Sequence, residues 1–443
     1  MKFARRLARP DLFLLLAWAV VIVRLVWPAA APPPVGAILM AAFLLAAVTR
    51  VHRRTLILCS ILGTLALVLA AVTREWWRLV LALDGAVSFA AFFGTIRVLR
   101  ATADRRPETG TARDLFKTIT PAQQSSAFLI GAHLIGAVLV VGALAVLAPI
   151  QDKDASDAER LAAAESSQRG LCLAPLWSPF WIAMAVVYQY LPAVPLWQVL
   201  ATGLPLAVLG LMLAQLMFAR GMGLKRLWQA TAGLAPIIPP VAICAVVIAV
   251  VASFTTLSTL DAVIACTPVL CAAAILMTSR TALVSAVGAV YRGIGGVSDE
   301  VALVTLSLAL GRVLEKALGD AGVPGMITAL QLPHESYIVL LTVIVAATSL
   351  IGIHQIVSIT VLLVLLVPLS GGVAGVITMQ SALLGWTFAS MVGITAVSVA
   401  GASAMFRVPM PQLSYGENLK FVVVYGTAAL TCLVLLNHFF LGP

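Results

Sequence analysis

The stretch LIGAHLI at residues 129–135 returns as LIGIHQI at 350–356, with His133 and His354 in the same slot of two segments nearly free of charge. Such an echo at long range reads as a duplicated chain. Other matches extend it. GTIRVL at 94–99 is answered by GRVL at 311–314, a register that sets Asp84 opposite Asp299 and Arg97 opposite Arg312. Gln168 falls opposite Gln380, Leu171 opposite Leu383 and Ser178 opposite Ser390. The offsets stay between about 212 and 221 residues, so few insertions separate the copies.

Composition sets the solvent of this chain. Of 443 residues, 61% are hydrophobic and 10% charged, which excludes an ordinary soluble domain. At about 20 apolar residues per helical span there is room for roughly ten to twelve crossings. The formal charge of +10 sits in short basic clusters between apolar runs, as topology signals do, and not in a nucleic-acid patch. Cys59, Cys172, Cys244, Cys266, Cys271 and Cys432 lie in apolar segments without disulfide or zinc spacing, so no metal site is expected.

Arg5, Arg6 and Arg9 before an apolar run imitate a signal peptide, but Arg24 inside that run argues for an uncleaved helix with a cytoplasmic amino terminus. The expected fold is an all-α polytopic membrane protein of two inverted repeats. Each repeat has five transmembrane helices with a re-entrant hairpin and a broken helix, for about eleven spans in all. Residues 1–34 form an extra helix. Repeat 1 covers 35–226, with a hairpin at 122–150 and a broken helix at 171–195; repeat 2 covers 227–443, with a hairpin at 336–369 and a broken helix at 377–405. A hairpin at 122–150, with its tip at Gly131 and His133, keeps Arg220, Lys225, Arg226, Arg280 and Arg292 on the cytoplasmic side. The hydrophilic run at 151–169 follows the hairpin, its side of the membrane left open by its acidic residues, and the short segment 281–293 is read as an interfacial helix. Trp27, Trp76, Trp77, Trp197 and Trp228 fall near expected interfaces.

Three helices, a hairpin, a broken helix and a helix in each half resemble the ion transporter superfamily, which includes the citrate, dicarboxylate and arsenite permeases. The resemblance covers residues 35–440. It implies a secondary carrier in the cytoplasmic (inner) cell membrane, with substrate and ion sites at the hairpin tips and broken-helix middles and an elevator mechanism. Those regions here are Gly131 to Gly136, Leu173 to Phe180, Gly352 to Ser358 and Gly385 to Thr395. Sodium-coupled dicarboxylate members typically carry Ser-Asn-Thr at both tips. This chain has Gly-Ala-His and Gly-Ile-His, so their ion and substrate do not transfer.

The residues themselves offer further chemistry. Half-helices ending near midplane direct amino termini at a cavity that suits an anion. Pro175 and Pro179 break the first crossing helix, and Gly385 and Gly393 are the flexible points of its partner. Ser178, Ser358, Thr387, Ser390 and Thr395 supply hydroxyls for a substrate or cation. His133 and His354 either exchange coupling protons or stay neutral and tie each tip together by hydrogen bonds.

The leading expectation is a symporter of a small anion, an organic acid or oxyanion, driven by protons or Na+ without another cofactor. A sodium/proton antiporter on the same fold is the alternative, as is the large membrane subunit of a binding-protein-dependent carrier. A homodimer and separate transporter subunits stay open as partners beside the lipid bilayer. No GxxxxGK[ST] loop occurs, which argues against ATP hydrolysis. A membrane transferase using histidine as a base lacks a nearby acidic partner, so the chain is not read as an enzyme.

Overall fold

The computed structural model describes residues 10–105, 121–151, 154–219, 238–277 and 279–441. Arg5, Arg6, Arg9, Arg220, Lys225, Arg226 and Trp228 lie outside them. The described residues are helical, with no strand among them. Six helices are long and apolar enough to cross a membrane: Arg53–Thr73, Trp76–Ala103, Leu196–Phe218, Thr259–Leu276, and the composite runs Gly375–Phe406 and Met410–Phe439. The chain is therefore a multi-pass helical membrane protein.

The helices in chain order begin with α1 (Pro10–Val26), α2 (Pro33–Ala47), α3 (Arg53–Thr73) and α4 (Trp76–Ala103). Next come α5 (Pro121–Leu139), α6 (Gly142–Leu147), α7 (Asp157–Cys172), α8 (Ile182–Tyr188), α9 (Leu196–Phe218) and α10 (Ile238–Phe254). The middle of the chain gives α11 (Thr259–Leu276), α12 (Arg280–Gly293), α13 (Ser298–Asp320) and α14 (Val323–Ala329). The last third gives α15 (His334–Leu350), α16 (Gln355–Leu366), α17 (Gly375–Val392), α18 (Val397–Phe406), α19 (Met410–Tyr415) and α20 (Glu417–Leu436).

These helices sort into two compact units, each drawn from both halves of the chain. Unit 1 is Met1–Arg105 with Leu260–Leu332, and unit 2 is Arg106–Thr259 with Pro333–Pro443.

In unit 1, α4 is the central helix and packs on α1, α2, α3, α12 and α13. Its buried face carries Ala82, Ala86, Ala90, Ala91 and Gly94, and small residues let neighbouring backbones approach closely. The two carboxylates paired in the sequence find partners outside their own helices. Asp84 accepts from Arg24 at 2.6 Å, and the same guanidinium donates to the Ala31 carbonyl at 2.9 Å, which fastens the Pro-rich turn before α2. Asp299, in the first turn of α13, takes the His52 backbone N–H at 2.9 Å and the His52 ring, which fastens the turn before α3. α12 spans 14 residues, about 21 Å at 1.5 Å per residue, too short to cross. It rests on α4 through Ala286 against Ala101, with Arg105 donating to Ser285.

His52 sits in the α2–α3 turn with its side chain 84% exposed. Its pKa is raised from 6.5, first by the hydrogen bond to Asp299, then by that carboxylate's charge. The stabilisation is therefore complete below the unfolded pKa and is lost as pH rises through the folded value. Melting of the wild type should show a small acid-favoured component above pH 6.5. That component should vanish in His52→Gln; an unchanged pH profile would reject it.

Unit 2 holds two helix–turn–helix hairpins and two interrupted helices. In the first hairpin the chain turns at Val140, whose φ is 53°, between α5 and α6. Gly131 and His133 lie inside the continuous helix α5, so the expected tip at those residues is corrected. The second hairpin turns at Gly352, where φ is +94°, a conformation glycine adopts without a Cβ penalty.

The polar run after the first hairpin forms α7, and its second half, Ala163 through Cys172, is buried. Ser156 and Glu159 make a capping box at its start, which satisfies amides that would otherwise oppose the helix.

α7 stops at Cys172, and a nine-residue interruption with a 3-10 turn at Ala174–Leu176 separates it from α8. α17 stops at Val392 and α18 resumes at Val397. Gly385, expected to be a flexible point, sits in uninterrupted helix, where it lets α17 lie against the α15 backbone at Thr342.

The packing is reciprocal: α5 lies along α7 and α15 along α17. The second arm of each hairpin packs on the helix beyond the other interruption, α6 on α18 and α16 on α8.

Candidate functional site

The interruption at 173–181 is fully buried, and Pro175 and Pro179 lie within it. A proline has no N–H to continue a ladder, so helical pairing lapses there and the freed groups need other partners. The end of α5 supplies them. Ser178 Oγ donates to the Ala137 carbonyl at 2.5 Å, and Trp181 Nε1 donates to the Gly136 carbonyl at 3.0 Å. Trp177 Nε1 donates to His133 Nε2 at 3.2 Å, while His133 Nδ1 donates to the Gly170 carbonyl at 3.0 Å.

Those last two bonds define the state of His133. Its Nε2 is an acceptor for the indole, so the single ring proton sits on Nδ1. An imidazolium would place two donors face to face between Nε2 and Trp177. His133 therefore acts as a neutral tie between α5, α7 and the interruption.

The interruption at 393–396 is assembled differently. Gln168 Nε2 donates to the Met391 carbonyl at 2.8 Å, and Ser398 Oγ donates to the Ser390 carbonyl, so the last carbonyls of α17 are answered. Ser390 Oγ accepts from Gln355 Nε2 at 2.9 Å. His354 caps α16, its Nδ1 accepting the Ile356 N–H at 3.3 Å. Ser358 Oγ shares a hydrogen bond of 2.7 Å with Thr348. Ile394 reaches to Gly352, and Thr395 is exposed at the tip.

The two glutamines form a reciprocal bridge. While Gln168 of α7 holds the end of α17, Gln380 of α17 donates to Leu176 in the first interruption at 3.2 Å and to Val199 of α9 at 2.9 Å. Each interrupted helix thus stabilises the other's break.

His133, Pro175, Ser178 and Pro179 are gathered around the first interruption, with Gly131 nearby on buried α5. Gly352, His354, Ser358, Ser390, Gly393 and Thr395 are gathered around the second. The histidines are not equivalent. One is seven residues before its turn and the other follows its turn directly.

Several buried oxygens have no hydrogen-bond partner: Gln168 Oε1, Gln380 Oε1, Thr387 Oγ1 and Ser167 Oγ. α18 starts at Val397 with no side-chain cap. Together these offer cation-type oxygen ligands and an anion-type helix terminus within one unit. Sequence reasoning missed Glu165, Ser166, Ser167 and Arg169, all buried on α7. The spacing of Glu165 and Arg169, four residues apart after a capping box, was the available signal.

Ser178→Ala should act on stability before affinity. It orphans the Ala137 carbonyl, which at about 1–3 kcal/mol for a buried unpaired group should lower the melting temperature. An unchanged melting temperature would free Ser178 for a ligand.

No protein-family model matches the chain, and no curated protein matches it. Among solved structures, "Crystal structure of the Alcanivorax borkumensis YdaH transporter reveals an unusual topology" aligns over 88% of this chain and 99% of its own, with 13% identity and a TM-score of 0.49. At that identity and superposition the likeness bears on neither mechanism nor substrate.

Proposed function

We propose that the chain is a secondary active transporter of a small anion, coupled to protons or sodium. One observation carries the reading: two interrupted helices in one compact unit, each backed by a hairpin, with Gln168 and Gln380 bridging to each other's breaks. Non-helical backbone at membrane depth is tolerated where protein buries it or a cavity receives it, and two such breaks side by side are a costly arrangement without a ligand role. The uncapped start of α18 suits an anion, and the unpartnered oxygens suit a cation. The reciprocal packing supports an inverted duplication in the inner cell membrane, which gives two opposite-facing states from one architecture. Division of the chain into two units, each built from both halves, supports an elevator-type cycle in which one unit carries the cargo.

The two histidines are engaged in structural hydrogen bonds, so proton coupling by the pair is set aside in favour of other groups. Reconstituted protein should accumulate a labelled carboxylate or oxyanion under an imposed proton or sodium gradient. Exchange of protons for sodium with no anion present would favour the antiporter reading, and absence of every gradient-driven flux would reject both.

A further inference from the structure

Glu165 and Arg169 on α7 form the most deeply buried ion pair among the described residues. Their contact is 3.0 Å and their side chains are 8% and 3% exposed. Two other elements close around them. The Arg169 guanidinium lies 3.6 Å from the centroid of the Phe218 ring at the end of α9. The Glu165 carboxylate lies against the start of α20, beside the backbone of Glu417, with Oε1 3.2 Å from where a Cβ of Gly416 would stand, and Gly416 has no side chain to cap that helix. Arg169 Nε, also buried, has no acceptor.

Stripped of its own carboxylate, this place is an anion site. It has a planar cation with one donor unused, a helix amino terminus with about half a positive charge, and an aromatic wall. We propose that Arg169 and the amino terminus of α20 bind a small carboxylate, and that the carboxylate of Glu165 holds the site until Glu165 takes up a proton and yields it to the transported anion. This rests on the transporter reading and names its coupling group.

The exchange balances. Hydronium gives up a proton, its O–H bond breaking to leave water, the proton bonds to one Glu165 carboxylate oxygen, and the ion pair with Arg169 ends. The incoming monovalent carboxylate then neutralises Arg169, so the buried cluster carries no net charge before or after. An uncompensated buried guanidinium is strongly unfavourable, which makes a state with neither anion rare and ties one proton to one anion.

The surroundings supply few competitors. Of the elements packed on α7, α6, α9, α17 and α18 contain no acidic or basic residue. α5 brings His133, already bonded to Gly170 and Trp177; α19 brings Tyr415, bonded to the Leu350 carbonyl. α20 brings Glu417 paired with Lys420, Tyr425 bonded to the Leu206 carbonyl, and Cys432. On α7 itself, Asp157 pairs with Arg160 at the far end, and Glu159 closes the capping box.

Two measurements on the purified full chain test the proposal. Glu165→Ala empties the carboxylate position and should lower the melting temperature. Acetate should restore at least half of that loss, chloride at equal ionic strength should not, and Glu165→Ala/Arg169→Leu should not respond to acetate. Equal responses to acetate and chloride, or a rescue that survives removal of Arg169, would overturn the site. Acetate binding by the wild type should strengthen about tenfold per pH unit on acidification, one proton per anion, while Glu165→Gln binds independently of pH. Absence of binding, or one slope shared by both proteins, would overturn the exchange. Liposomes that move no anion while Glu165→Ala is rescued would remove the transporter reading and keep the site. Anion flux without rescue would do the reverse.

Discussion

Gly203→Ala should unfold the core of unit 2 at a temperature well below that of the wild type. A Cβ at Gly203 would stand 1.9 Å from the Leu176 carbonyl oxygen and 2.7 Å from its carbon, with Gln380 Nε2 at 2.9 Å. The nearest atoms are backbone, in the buried interruption between α7 and α8, so they cannot swing aside as a side chain could. Moving Leu176 also pulls its carbonyl off Gln380, and the same amide bonds Val199 four residues before Gly203.

Overpacking ordinarily costs about 1–3 kcal/mol, and an orphaned buried hydrogen-bonding group adds to that, so a loss of about 3 kcal/mol or more is expected. Gly319→Ala is the control. It lies in α13 with nothing within 4 Å of its Cβ, and helix propensity alone predicts a gain of about 0.5–1 kcal/mol. Thermal unfolding in detergent compares the two. Equal melting of Gly203→Ala and wild type would mean that α9 and the interruption do not meet as described.

The same contact shows what the sequence could and could not reveal. Apolar runs marked the helices, and Pro175, Pro179 and Gly393 marked the interruptions, because missing donors and backbone freedom are properties of the residues themselves. The heptapeptide echo was a weaker guide to position. Gly131 lies within the continuous helix α5, whereas Gly352, in nearly the same local sequence, takes a positive φ and turns the chain. Leu129 and His133 lie against Gly170 of α7, while Thr342 and Val345 lie against Gly385 of α17.

Hydropathy alone does not mark α7, for a related reason. Its polar residues are buried by satisfying one another and the ends of neighbouring helices, a tertiary arrangement invisible to a residue-by-residue scale. Ser156 and Glu159 were nevertheless readable as a helix start, and a helix begun there places Glu165 and Arg169 one turn apart.

That turn carries the second large effect. Arg169→Leu should destabilise the protein by about 3–5 kcal/mol, because it leaves the Glu165 carboxylate buried at the start of α20 with no counter-ion. The lost stacking on Phe218 has structural reach. Phe218 meets Phe421 edge-on at 6.4 Å, Phe421 stacks on Tyr425 at 5.3 Å, and Tyr425 meets Phe388 edge-on at 5.8 Å, one residue from Thr387. A disturbance at Arg169 thus has a packed aromatic route to the second interrupted helix.

Glu165→Gln/Arg169→Leu should regain most of the loss, since the charge that made the single substitution costly is gone. The four melting temperatures of this double-mutant cycle isolate the pair, with an expected coupling of at least about 2 kcal/mol. Additive losses would mean that the two side chains do not share a charge in the folded protein. Arg169 would then serve by its stem and ring contact alone, and α7 would be held by packing instead of by electrostatics.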